Sequence, residues 1–115
     1  MKNIIISISF LLISCASFSQ EKQVEFKNLK EALKSPEKVF RLNLSNQPVN
    51  LPDSIWSTFI NLEYLSLKDD HLIEFPEGIT RLKKLKTLDL SGNDFKVIPV
   101  QFLELSNLEE LYLND

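Results

Sequence analysis

The chain has 115 residues, 43% of them hydrophobic and 25% charged, with a formal net charge of −3. That balance excludes a wholly disordered or collagen-like chain, and the length allows one folded unit. The slight acidity leaves no basic footprint for nucleic acid, and a single cysteine excludes a disulfide framework and a multi-thiolate zinc site. One histidine, His71, removes any constellation that needs two. Leucine dominates instead, with 20 copies against two glycines.

Residues 1 to 20 open with Lys2, continue through an apolar run of ten residues from Ile4 to Ile13, and end in small residues. This is the three-part layout of a secretory signal peptide, and the run falls short of the roughly 20 apolar residues of a membrane span. Cleavage is expected after Ser19, where Ser17-Phe18-Ser19 fits the small-x-small rule. The alternative is cleavage before Cys15, because Leu12-Ile13-Ser14-Cys15 resembles a bacterial lipobox. The first route leaves 96 residues with a net charge of −4; the second makes Cys15 a lipid-bearing N-terminus. Both place the protein outside a bacterial cytoplasm, in the periplasm, at the cell surface or secreted.

Residues 20–38 form the next unit. Phe26, Leu29, Ala32 and Leu33 lie at helical spacing, with Lys27, Lys30, Glu31 and Lys34 between them. Ser35-Pro36 ends the run, since proline disfavours helix in the residue before it. An amphipathic helix is expected here, acting as the cap that the first coil of a repeat stack requires.

From residue 39 the sequence repeats every 23 residues, with starts at Val39, Leu62, Leu85 and Leu108. The second copy reads Leu62, Leu65, Leu67, Asp70, Leu72, Phe75-Pro76, Ile79, Leu82; the third reads Leu85, Leu88, Leu90, Asn93, Phe95, Ile98-Pro99, Phe102, Leu105. Leu42 and Leu44, Leu65 and Leu67, Leu88 and Leu90, and Leu111 and Leu113 alternate at period two, the mark of a short strand with one side buried. The stretches from Asp53 to Phe59, Glu77 to Leu82 and Val100 to Leu105 suit a helical or 3₁₀ turn on the opposite side. The first copy departs from the pattern: Pro52 comes one residue early, so either Ile55 or Trp56 points inward.

These motifs, over residues 39–115, resemble the bacterial leucine-rich repeat proteins whose 23-residue repeats carry a Leu-Pro-x-x-Ile convex segment. The resemblance implies an α/β leucine-rich repeat solenoid of about three and a half repeats. Its short parallel sheet would line a concave face, with helical or 3₁₀ turns on the convex face and an N-terminal capping helix. It also implies a non-enzymatic binding module, because in the family the outward strand positions contact ligands. Those columns are Arg41, Tyr64, Thr87, Glu110; then Asn43, Ser66, Asp89, Tyr112; then Ser45, Lys68, Ser91, Asn114. The expected contact residues are Arg41, Tyr64, Ser66, Lys68, Thr87, Asp89, Glu110 and Tyr112. The partner expected is a protein or peptide. No cofactor, metal or nucleic acid is expected, and membrane contact only through a lipid on Cys15.

Other motifs read as structural. Asp69-Asp70-His71 lacks the second histidine or nucleophile a catalytic site would want, and Asp70 stands where the repeat asks for asparagine. Gln47 and Asp70 replace asparagine in a column that Asn93 fills, so the amide ladder of the family is expected to be imperfect. Arg81 is expected against Glu104, and Lys86 between Glu63 and Glu109, with Lys83 and Lys84 free. Asp53-Ser54-Ile55 resembles a short bacterial O-glycosylation acceptor. The sequence stops within a repeat at Asp115, which fits two further expectations. One is self-association through an uncapped last coil; the other, the alternative to a binding module, is a truncated piece of a longer surface protein.

Overall fold

A computed structural model describes residues 22–114. The expected leader, with both expected cleavage positions at Ser19 and Cys15, lies outside the described residues. Five short strands form one wholly parallel sheet in sequence order: β1 (Glu25–Phe26), β2 (Arg41–Asn43), β3 (Tyr64–Ser66), β4 (Thr87–Asp89) and β5 (Glu110–Tyr112). The register from β2 to β5 is that of the repeat. Arg41 pairs with Tyr64, Tyr64 with Thr87, and Thr87 with Glu110. Leu42, Leu65, Leu88 and Leu111 follow one position on.

Behind the sheet the same spacing stacks the core. Leu42, Leu65 and Leu88 are fully buried, as are Val39, Leu62 and Leu85 in the column before them. Leu44, Leu67 and Leu90 form a third column, and Phe59, Leu82 and Leu105 a fourth. Each coil thus hides its leucines against the next, which is how a repeat array builds a core without a second layer. Leu108, Leu111 and Leu113 of the last coil are only half-buried.

The segments opposite the sheet are single turns: α-helix at Asp53–Trp56, 3₁₀ at Glu77–Arg81 and Val100–Glu104. Their difference explains the displaced Pro52. In the first 3₁₀ turn the buried Ile79 comes three positions after Pro76, and Ile79 N donates to Pro76 O at 3.0 Å. In the first repeat Trp56 comes four positions after Pro52, and a full α-turn absorbs the extra residue, with Ser57 N donating to Asp53 O at 3.4 Å. Trp56 therefore takes the core position, and Ile55 stays half-buried.

The N-terminal cap differs from its helical expectation. The helix is one turn, α1 (Leu29–Ala32), and Phe26 lies instead in β1, paired in parallel with β2. Asn28 caps the turn by accepting from Glu31 N at 3.2 Å, and a 3₁₀ turn follows at Pro36–Lys38. The reason is the exposed edge of β2: without a neighbour its backbone groups would go unpaired, and β1 supplies them. The segment grips the repeats further on, where Gln47 Nε2 donates to Lys27 O at 2.9 Å and Asn61 Nδ2 to Glu37 O at 2.8 Å.

Candidate binding face

The strands present their outward side chains at one level, because the repeat fixes the register. Arg41, Tyr64, Thr87, Asp89, Glu110 and Tyr112 line a single shallow depression on the sheet. Six of the eight expected contact residues are thereby brought together.

At the N-terminal side, Arg41 Cζ lies 4.0 Å from the centre of the Tyr64 ring. Its Nη2 is 3.5 Å from Glu25 Oε1, so the guanidinium sits between an aromatic face and a carboxylate. Glu25 Oε2 also accepts from Asn43 Nδ2 at 3.3 Å. At the C-terminal side, Tyr112 Oη donates to Glu110 Oε2 at 2.6 Å. That carboxylate, through its hydrogen bond and its charge, raises the Tyr112 pKa above the ordinary phenol value. Asp89 Oδ1 accepts from Ser91 N at 3.0 Å and from the Ser91 hydroxyl, which fixes its rotamer.

Two expected contact residues stand apart. Ser66 is 2% exposed, and its hydroxyl lies 2.8 Å from Ser45 Oγ. In register between Asn43 and Asp89, Ser66 is buried and does not line the depression. Lys68 is exposed but does not line the depression. Glu25, which does not line the depression but pairs with Arg41 at its edge, is the neighbour that repeat reasoning missed: β1 precedes β2 by sixteen residues, off the 23-residue period.

The loop after the strands is held by a ladder one residue wide. Asn93 Oδ1 accepts from Asp70 N and Leu72 N, both at 3.0 Å, while its Nδ2 donates to Leu67 O at 2.8 Å and Leu90 O at 2.9 Å. Asp70 repeats only the accepting half, taking Gln47 N at 2.9 Å. Its Oδ2 is buried without a hydrogen-bond partner among the described residues. Burial raises the Asp70 pKa above the usual carboxylate value, opposed in part by the Gln47 and Asn46 backbone N–H groups. A second period-23 feature lies beside it. Asn46, Asp69 and Gly92 all have positive φ, at 59°, 56° and 68°. That conformation suits Gly, Asn and Asp, which explains the residue types in this column.

The charge pairs follow the repeat only in part. Lys86 Nζ lies 3.6 Å from Glu63 Oε1, but among the described residues no ion pair joins Arg81 to Glu104. Lys83 and Lys84 are not free: Lys83 donates to Thr80 O and Lys84 to Asn61 Oδ1, both at 2.9 Å. His71 Nδ1 is 3.3 Å from Asp94 Oδ2 on an exposed turn, outside the depression.

Residues 60–115 match the sequence profile of the family described as Leucine rich repeat. The solved structure of a leucine-rich repeat protein from Leptospira interrogans superimposes with a TM-score of 0.70 at 36% identity, covering 81% of this chain and 24% of that one. The fold is a leucine-rich repeat solenoid. Its parallel sheet lines the concave face, and the short helical turns lie on the convex face. Among curated proteins, Bos taurus osteomodulin is 37% identical over 87 residues, 70% of this chain and 19% of the relative. A Homo sapiens volume-regulated anion channel subunit is 42% identical over 66 residues, 56% of this chain and 8% of the relative. The chain thus spans less than a quarter of each of these relatives. Leucine-rich repeat domains typically serve protein–protein recognition and are generally non-enzymatic. No helix among the described residues is long and apolar enough to cross a membrane.

Proposed function

We propose that this chain is an exported, non-enzymatic bacterial module that recognises a protein or peptide through its concave face. The observation that carries the reading is the shared depression of Arg41, Tyr64, Thr87, Asp89, Glu110 and Tyr112. Tyrosines there supply contact area and a polar tip, and pairing of Arg41, Asp89 and Tyr112 to neighbours holds them in place before a partner arrives. The leader from Lys2 to Gln20 supports export, with maturation at Ser19 or lipidation at Cys15.

The test is a photo-crosslinking amino acid placed in the full chain at Thr87 and, as a control, at Lys83, in the native host. A partner adduct from Thr87 that is lost with Tyr64→Ala, and absent from Lys83, is the expected result. Equal crosslinking from both positions, or none from Thr87, would overturn the reading. Intact mass of the same material should begin at Gln20 or at lipidated Cys15. A mature chain beginning at Met1 would remove the export part.

A further inference from the structure

The concave face builds a ring-and-carboxylate niche at each side of its depression, and the chain fills only one. At the first, Arg41 lies over Tyr64 at 4.0 Å and reaches Glu25 at 3.5 Å. At the second, the Tyr112 ring is 45% exposed on β5, with Glu110 two residues before it and Asp89 in register beside it on β4. Among the described residues neither carboxylate has an ion-pair partner and no cation lies over the Tyr112 ring. Asp89 Oδ2 and Glu110 Oε1 likewise enter no hydrogen bond among the described residues. Arg41 is matched by Glu25, and Lys68 does not line the depression, so the remaining charge there is that of Asp89 and Glu110.

Two uncompensated carboxylates beside an aromatic face attract cations and repel anions. We propose that the Tyr112–Glu110–Asp89 niche receives an arginine side chain of the protein or peptide partner. A planar guanidinium can stack on the ring while its N–H fork meets the carboxylate oxygens; the parallel already in the chain is Arg41, with Cζ 4.0 Å from the centre of the Tyr64 ring and Nη2 3.5 Å from Glu25 Oε1. Lysine offers a point charge without the stacking plane. This inference rests on the concave-face reading and names the chemistry of its partner.

The experiment uses the ¹⁵N-labelled full chain, titrated at low ionic strength with acetyl-Gly-Arg-Gly-amide. Parallel titrations use the same peptide with citrulline, and with aspartate, in place of arginine. Arginine should shift the amide signals of Thr87, Asp89, Glu110 and Tyr112. Citrulline, which keeps the shape and loses the charge, should bind at least fivefold more weakly, and the aspartate peptide should give no shifts. Asp89→Asn and Glu110→Gln should each weaken the arginine peptide at least threefold, with the remaining amide spectrum unchanged. No shifts with arginine, equal binding of citrulline, or shifts confined to residues outside the depression would each overturn the proposal. If the Thr87 crosslink persists in that event, concave recognition stands and only the arginine assignment fails. If the crosslink is also absent, both fall.

Discussion

Trp56 fills the space that a side chain at Gly78 would need: a Cβ at Gly78 would lie 2.6 Å from Trp56 Cδ1 and 2.8 Å from Asp53 Cα. The fully buried indole thus reaches into the next coil, and the glycine there is the room it needs. Gly78→Ala is expected to cost about 1–3 kcal/mol, the usual range for overpacking. Trp56→Leu in the same chain should recover part of that cost, because Asp53 backbone still opposes the new methyl. A double-mutant cycle by urea denaturation measures the coupling. Additive losses would mean that the two residues do not share the space.

Asp70 carries a proton-dependent stability term. Its pKa is raised in the fold, so the folded state binds the proton more tightly than the unfolded chain. The stabilisation from that proton is present below the ordinary value of 3.8 and is lost as pH rises through the folded pKa. Asparagine at this position could donate to Leu44 O and Leu67 O, as Asn93 donates to Leu67 O and Leu90 O. Asp70→Asn should therefore stabilise by about 1–3 kcal/mol at pH 7, relieving a buried unsatisfied oxygen. The gain should shrink between pH 7 and pH 4. Melting temperatures across that range check the sign, and a gain that grew on acidification would contradict it.

The left-handed column makes a sharper comparison. Gly92→Ala forces a Cβ into positive φ and within 1.8 Å of the present Asp69 Oδ1 position, so the Asp69 side chain must move. A loss of about 1–2 kcal/mol is expected from the backbone alone. Asn46→Gly, which keeps φ at 59° accessible, should change stability by only a few tenths of a kcal/mol, near 0.5 kcal/mol at most. Chemical denaturation of the two variants separates the cases. Equal effects would argue against a conformational reason for the column.

Core columns and surface lysines should also part company. Leu88→Ala removes a fully buried side chain and should cost about 2–5 kcal/mol. Leu111→Ala, half-buried in the last coil, should cost less. Lys83→Ala touches an exposed side chain bonded to Thr80 O and should stay within about 0.5 kcal/mol.

The 23-residue period carried most of the fold into view, because it fixes register as well as element type: Leu42, Leu65, Leu88 and Leu111 align in space as they do in sequence. Where the period breaks, the reading weakens. Spacing alone left Ile55 and Trp56 open, and an α-turn in place of a 3₁₀ turn decides for Trp56. Residues 20–38 read as a helical cap because their apolar spacing says nothing of the unpaired edge of β2, which draws Glu25–Phe26 into the sheet. The same event sets Glu25 at the edge of the candidate site. Ser66 shows a different limit: alternation assigns a direction but not an exposure, and Ser66 on the outward column is buried. The Arg81–Glu104 pair was expected from stacking of side chains whose flexible ends the period does not constrain.

Concave-face recognition meets its most direct test in calorimetry with the partner captured from Thr87. Binding by Tyr64→Ala, Asp89→Ala and Lys83→Ala chains should be measured side by side, after each is shown to melt as a folded protein. The two concave variants are expected to lose at least tenfold in affinity, while Lys83→Ala binds as the parent does. Equal affinity of all three, or a loss confined to Lys83→Ala, would contradict recognition through the sheet.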